Sequence, residues 1–222
     1  MSKITLEQLQ EMITLQDTMN STVDPDWKTK GRDWHLAAQM ELHEGIDHFG
    51  YKWWKKQTPD LSQVQLEVVD AWHFWLSDFI EEGFGEDADE LDALLYDINI
   101  PQQRTAAVIK KEKYISFARD YGNYFGSGAF GWWAPLLATV DLTPKDLYEM
   151  YIKKNVLNMF RQNNGYKEGT YIKEWNGEED NVHLLRLAKE GDNFTQLYLR
   201  LEDYYKSEVF IPNSIDIRLA AT

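Results

Sequence analysis

Residues 34–50, WHLAAQMELHEGIDHFG, and residues 61–82, LSQVQLEVVDAWHFWLSDFIEE, decide the fold. In the first, Trp34, Ala37, Ala38, Leu42 and Ile46 keep a helical period, and the second reads as a helix from about Leu61 to Glu82. The loop YKWWKKQTPD joins them, and Asp60 followed by Gln63 has the form of an N-cap with its partner three residues on. Such short connections favour antiparallel neighbours. Upstream, Thr5-x-x-Gln8 resembles a capping box, and Leu6, Leu9, Ile13 and Met19 carry a helix to Asn20, where a turn with Pro25 begins. Downstream, helical stretches are expected near 87–98 and from Pro101 towards Tyr121, while the glycines of GNYFGSGAFGWW break any regular element. Thr143-Pro144 reads as an N-cap with proline at the first helical position of a helix continuing through Lys154 and Arg161. A loop at 163–181 and one or two short helices near 182–206 close the chain. With almost no period-2 alternation, no heptads and no repeat, the predicted class is all-α. The expected organisation is one domain over 1–222: an antiparallel helix-bundle core at about 1–83 and 141–206, with a helical insert at about 84–140.

A length of 222 residues with 43% apolar residues and nine Trp can fill a sizeable interior. There is no cysteine, which excludes thiolate chemistry, Cys-based zinc sites and iron–sulfur clusters. The start, MSKITLEQLQEM, lacks the pattern of a secretory signal, and no apolar run approaches the ~20 residues that span a bilayer. A soluble, cytoplasmic protein without a membrane partner is the expectation. A formal charge of −14 repels a phosphate backbone, so no stable nucleic-acid binding is expected either. A small polyanion can still be handled when divalent cations bridge carboxylates to phosphates.

The placement of carboxylates therefore matters most. Glu41 and Glu44 are spaced i, i+3, as are Glu67 and Asp70, so each pair shares one helix face. Glu44 lies six residues before Gly50 and Glu67 six after Leu61, placing each roughly 9 Å from the connection at 1.5 Å per residue. Antiparallel packing would bring the four acids to one level, a set of hard oxygen ligands suited to Mg²⁺ that also binds substrate phosphates. The alternative is that both pairs lie on solvated helix faces. His43-Glu44 begins a zinc-protease signature, but Asp47 holds the place of its second histidine. No nucleophile elbow or P-loop is present.

Residues 153–173 reverse the local charge: Lys153, Lys154, Arg161, Lys167 and Lys173 stand against the single acid Glu168. Lys154, Asn158 and Arg161 share a helix face and could clamp phosphates, or could complement a helix dipole at a solvated end. Trp53 and Trp54, between lysines, read as a base pocket beside phosphate contacts or as packing anchors. Gln16 and Asn20, one turn apart, could read the edge of a nucleobase or serve as ordinary solvated or capping amides.

LQDTMN, WHLAAQMELHE, KWWK, EVVDAWHF and KNVLNMFRQNNGYKEGTYIKEWNGEEDN occur in that order. Together they resemble the all-α dimeric dUTPases, of the all-α nucleoside triphosphate pyrophosphohydrolase type, over about residues 12–80 and 148–181. The resemblance implies Mg²⁺-dependent hydrolysis of dUTP, and of dUDP as well, by attack of water at the α-phosphate, releasing dUMP and, from dUTP, pyrophosphate. It implies metal binding by Glu41, Glu44, Glu67 and Asp70, with Glu44 also orienting or deprotonating the water. It assigns uracil recognition to Gln16, Asn20 and Trp54. Phosphate binding falls to Lys55, Lys154, Asn158, Arg161, Tyr166, Lys167 and Lys173. A homodimer is implied as well. Two rivals stay open at this level: a relative acting on dCTP or a modified pyrimidine nucleotide, and a non-catalytic helical interaction module.

Overall fold

The structure, a computed structural model, describes residues 3–102, 107–121 and 129–209. Helices dominate: α1 (Leu6–Val23), α2 (Trp34–His48), α3 (Leu61–Glu81), α4 (Ala88–Ile98), α5 (Ala107–Asp120), α6 (Trp133–Thr139), α7 (Pro144–Asn163), α8 (Asp180–Leu187) and α9 (Phe194–Tyr204). One two-stranded hairpin, β1 (Glu174–Trp175) and β2 (Glu178–Glu179), accompanies them, so the all-α expectation holds. The chain divides into two compact units, Met1–Ile152 and Lys153–Thr222.

In the first unit the expected caps form. Gln8 N–H donates to Thr5 Oγ1 while Thr5 N–H donates to Gln8 Oε1, closing a capping box on α1. This helix runs three residues beyond the expected Asn20. It stops when Asp24, which precedes Pro25, turns extended, the conformation a following proline imposes. Asp60 caps α3 by accepting from the N–H groups of Ser62 and Gln63.

Helices α2 and α3 run antiparallel. Asp60 N–H donates to His48 O at the turn, Glu41 stands with Glu67 and Asp70 midway, and Trp34 Nε1 donates to Glu81 at the far end. Helix α3 is the centre of the unit, with Val64, Val68, Val69, Ala71, Trp72 and Leu76 all inaccessible to solvent. Trp72 stacks on Trp75 at 5.0 Å and meets Trp133 of α6 edge-on at 4.7 Å.

Helix α6 corrects the reading of GNYFGSGAFGWW as wholly irregular. Ala129–Trp132 form a 3₁₀ turn, and α6 follows directly; residues 122–128 lie outside those described. Trp133, Ala134, Leu136, Leu137 and Thr139 are all buried, so the short helix has no polar face to give it a period.

The second unit packs Val156, Leu157 and Phe160 of α7 with Trp175, Leu184, Leu197, Leu201 and Tyr205. Inside the expected 163–181 loop sits the hairpin, with Trp175 paired to Glu178. Its turn residues, Asn176 and Gly177, have φ of 51° and 84°, the left-handed pair that a tight hairpin requires. Strands of two residues are too short to show alternation. Among the described residues, no helix is long and apolar enough to cross a membrane.

Candidate active site

Three of the four expected carboxylates converge between α2 and α3: Glu41, Glu67 and Asp70 each offer an oxygen within 4.8 Å of the others. Glu67 is buried and has His48 Nε2 3.3 Å away. The crowding is costly. Burial first, then the charges of Asp70 and Glu67, a hydrogen bond shared with Glu67 and the charge of Glu44 push Glu41 up to about 8. Glu44, one turn along α2, is exposed and stands outside the triad, although its charge still acts on Glu41.

Beneath the triad lies Tyr114 of α5, whose hydroxyl donates to Leu42 O at 3.1 Å. Burial, then the Glu67 and Glu41 charges, push this phenol well above its ordinary range. Three convergent, partly buried carboxylates that hold a proton against their mutual repulsion fit a divalent, oxygen-preferring cation, whose charge would relieve that repulsion.

The two amides expected to read a base are buried side by side, Gln16 at 4% and Asn20 at 9% exposure. Gln16 Nε2 donates to Asn20 Oδ1 at 3.0 Å and to Ser77 Oγ at 3.1 Å, and Asn20 Nδ2 donates to Ser77 Oγ at 2.8 Å. Tyr151 Oη donates towards Gln16 Oε1 at 3.0 Å, with Met12 O also within reach at 2.9 Å. His73 stacks on Tyr151 at 4.2 Å. Asp70 and Ser77 are two turns apart on one face of α3, roughly 10 Å along the axis. The α3 face thus carries carboxylates at one level and the amide network at the next.

The Trp/Lys loop is tied to the end of α2 by Asp47, which accepts from Lys52 Nζ at 2.7 Å and Gln57 Nε2 at 2.8 Å. It leaves Trp53 and Trp54 86% and 58% exposed, edge-on to each other at 5.6 Å, with Lys55 exposed beside them.

The basic residues of 154–173 belong to the second unit. Arg161 is buried and forks onto Asp180, with Nε and Nη2 at 2.8 and 2.7 Å from the two carboxylate oxygens, and Nη1 reaches Asn158 Oδ1 at 3.2 Å. Tyr171 Oη donates to the same carboxylate, and burial followed by the Asp180 charge raises this phenol strongly. Lys154, also buried, donates to Asn181 Oδ1 at 2.7 Å. Tyr166 lies under the Arg161 guanidinium at 5.8 Å, Lys167 is exposed, and Lys173 pairs with Glu179 at 3.5 Å.

From the sequence His48 reads as a packed or surface residue without ligand spacing, and Ser77, Tyr114 and Tyr151 carry no signal of a role at the site. His48 follows Glu41 by seven residues and Ser77 follows Asp70 by seven, so a same-face search would have found both. The tyrosines act across 72 and 135 residues of chain, and no local spacing signals that.

No curated protein matches this chain. The sequence model of the family described as dUTPase matches residues 8–166, more than half of the chain, and takes in the carboxylates, the amides, the Trp loop and the basic residues as far as Tyr166. The chain therefore belongs to the dUTPase family and is a dUTP diphosphatase.

Proposed function

We propose that the enzyme hydrolyses dUTP, and dUDP as well, to dUMP in a Mg²⁺-dependent reaction centred on Glu41, Glu44, Glu67 and Asp70. The observation that carries this reading is the convergence of Glu41, Glu67 and Asp70 within 4.8 Å, with Glu41 pushed up to about 8 by burial and then by the charges of its acidic neighbours. A divalent cation bound there would screen the polyphosphate and acidify a water molecule. Glu44 is exposed and outside the triad, so its carboxylate has acceptor capacity with which to orient the attacking water and take its proton. The water oxygen bonds to the α-phosphorus, the bond to the bridging oxygen breaks, and pyrophosphate leaves from dUTP or phosphate from dUDP.

Base binding is assigned to Gln16, Asn20 and Trp54, supported by the buried amide pair and the exposed indole. Phosphate binding is assigned to Lys55, Lys154, Asn158, Arg161, Tyr166, Lys167 and Lys173. Its support is the cluster of cations and donors in an otherwise acidic chain. Much of Arg161 is engaged by Asp180, which holds its fork rigid. A homodimer is supported by Leu36 and Met40, one turn apart on α2 and about half exposed each. A panel of deoxynucleoside triphosphates and dUDP, assayed for product with Mg²⁺ and with chelator, tests the reading. Turnover confined to dUTP and dUDP and lost on chelation is expected; comparable turnover of dCTP, or full activity without metal, would contradict it.

A further inference from the structure

We propose that Ser77 is a positioning residue that fixes the orientation of the Asn20 side-chain amide and thereby selects uracil over cytosine. The inference rests on the assignment of Asn20 to base binding.

Ser77 Oγ sits on the inner face of α3 and donates its one hydrogen to His73 O, four residues back, at 2.9 Å. That leaves only lone pairs for its other neighbours. Both are amide nitrogens: Asn20 Nδ2 at 2.8 Å and Gln16 Nε2 at 3.1 Å. A flipped Asn20 would set its Oδ1 against an oxygen with no hydrogen to offer. It would also set its Nδ2 against Gln16 Nε2, which now donates to Asn20 Oδ1 at 3.0 Å. Two hydrogen bonds would become two repulsions, so the amide has a single stable orientation.

Gln16 spends both of its N–H groups on Asn20 and Ser77, and its Oε1 accepts from Tyr151. It has no N–H left for a ligand and can meet the base only through the second lone pair of its Oε1, so its main service is to hold Asn20. Asn20 is different: one N–H goes to Ser77 and one Oδ1 lone pair to Gln16, which leaves one N–H and one lone pair for a ligand. A donor beside an acceptor matches the O4 and N3–H edge of uracil. Cytosine presents N4–H₂ and a bare N3 at the same places, so donor would face donor and acceptor would face acceptor. An amide free to rotate would accept either base, and the discrimination therefore resides in the lock, in which Ser77 supplies the acceptor for Nδ2 and holds Gln16, the donor to Oδ1.

The test is kcat/KM for dUTP and dCTP in the wild type and in Ser77→Ala, Ser77→Thr and Asn20→Ala, alongside melting temperatures. The expected result is a dUTP:dCTP ratio that falls at least tenfold in Ser77→Ala through both a loss on dUTP and a gain on dCTP. Ser77→Thr, which keeps the hydroxyl, restores the ratio. Should the extra methyl prevent that variant from folding, the opposite movement of the two substrates in Ser77→Ala decides alone, since a general structural defect lowers both. Equal losses on both substrates, or an unchanged ratio, would overturn the proposal. If Asn20→Ala collapses the ratio while Ser77→Ala does not, the lock fails and base reading by Asn20 stands. If Asn20→Ala leaves the ratio intact, both fail.

Discussion

Tyr114 occupies the space that any side chain at position 45 would need: a Cβ on Gly45 would stand 2.0 Å from the Tyr114 hydroxyl and 2.8 Å from its ring. The contact joins α5 to α2 one turn beyond Glu41, in a segment where the phenol also donates to Leu42 O. A stretch that reads from sequence as an insert is thereby part of the floor beneath the carboxylates. Gly45 is required for close packing, and its backbone has no unusual conformation.

Replacing Gly45 with alanine should consequently destabilise the protein. Helix propensity favours alanine by roughly 1 kcal/mol, but overpacking in a rigid interior costs about 1–3 kcal/mol and this overlap is severe. Chemical denaturation of Gly45→Ala should show a net loss, and adding Tyr114→Phe should recover part of it by removing the closest atom. An unchanged midpoint in the single variant would show that the α5 contact is soft.

The metal-free protein should lose stability as pH rises. Glu41 has its folded pKa raised from 4.5 to about 8, so the protonated form is favoured on folding. Its stabilising effect is complete below about 4.5 and disappears as pH climbs through 8. Melting temperatures taken in chelator from pH 5 to 9 should fall over this window, and Glu41→Gln should flatten the slope. A slope identical in the variant would remove Glu41 as its source.

Glu44→Gln should separate catalysis from folding. The side chain is exposed, so stability should stay within about ±0.5 kcal/mol of wild type. Loss of a proton acceptor at the water should lower kcat by about 10²–10⁴-fold. Steady-state kinetics with a denaturation curve on the same preparation reads both; a tenfold or smaller effect would leave the proton with another group.

Arg161 should behave in the opposite way. Asp180 is completely buried, and removing its forked partner leaves an uncompensated charge, which costs about 3–5 kcal/mol. Arg161→Ala should therefore lower the melting temperature as well as weaken dUTP binding. Arg161→Lys should not restore stability, because an ammonium cannot reproduce the two parallel hydrogen bonds. A stable Arg161→Ala protein with raised KM alone would make the Asp180 pair incidental.

Much of this was legible in the sequence, and the reasons are physical. Helices α2 and α3 are long and capped, and antiparallel pairing across a short loop carries Glu41 to Glu67 and Asp70. Helix α6 escaped because burial on nearly every side erases the period that marks a helix. Asn176-Gly177 is a hairpin signal in its own right, obscured here by strands only two residues long. The role of Ser77 was invisible because it depends on which way a hydroxyl hydrogen and two amides point. The Arg161–Asp180 pair links residues 19 apart through a fold that no spacing rule describes.

The carboxylate triad is the proposed meeting place of metal and nucleotide. Its most direct test is a thermal shift with Mg²⁺ and a non-hydrolysable dUTP analogue, in the wild type and in Glu67→Gln. Binding to the folded state alone must raise the melting temperature in proportion to the logarithm of ligand concentration. The wild type should show its largest rise with both ligands present, and Glu67→Gln should lose it. An equal rise in the variant, or none in the wild type, would contradict the placement of the site.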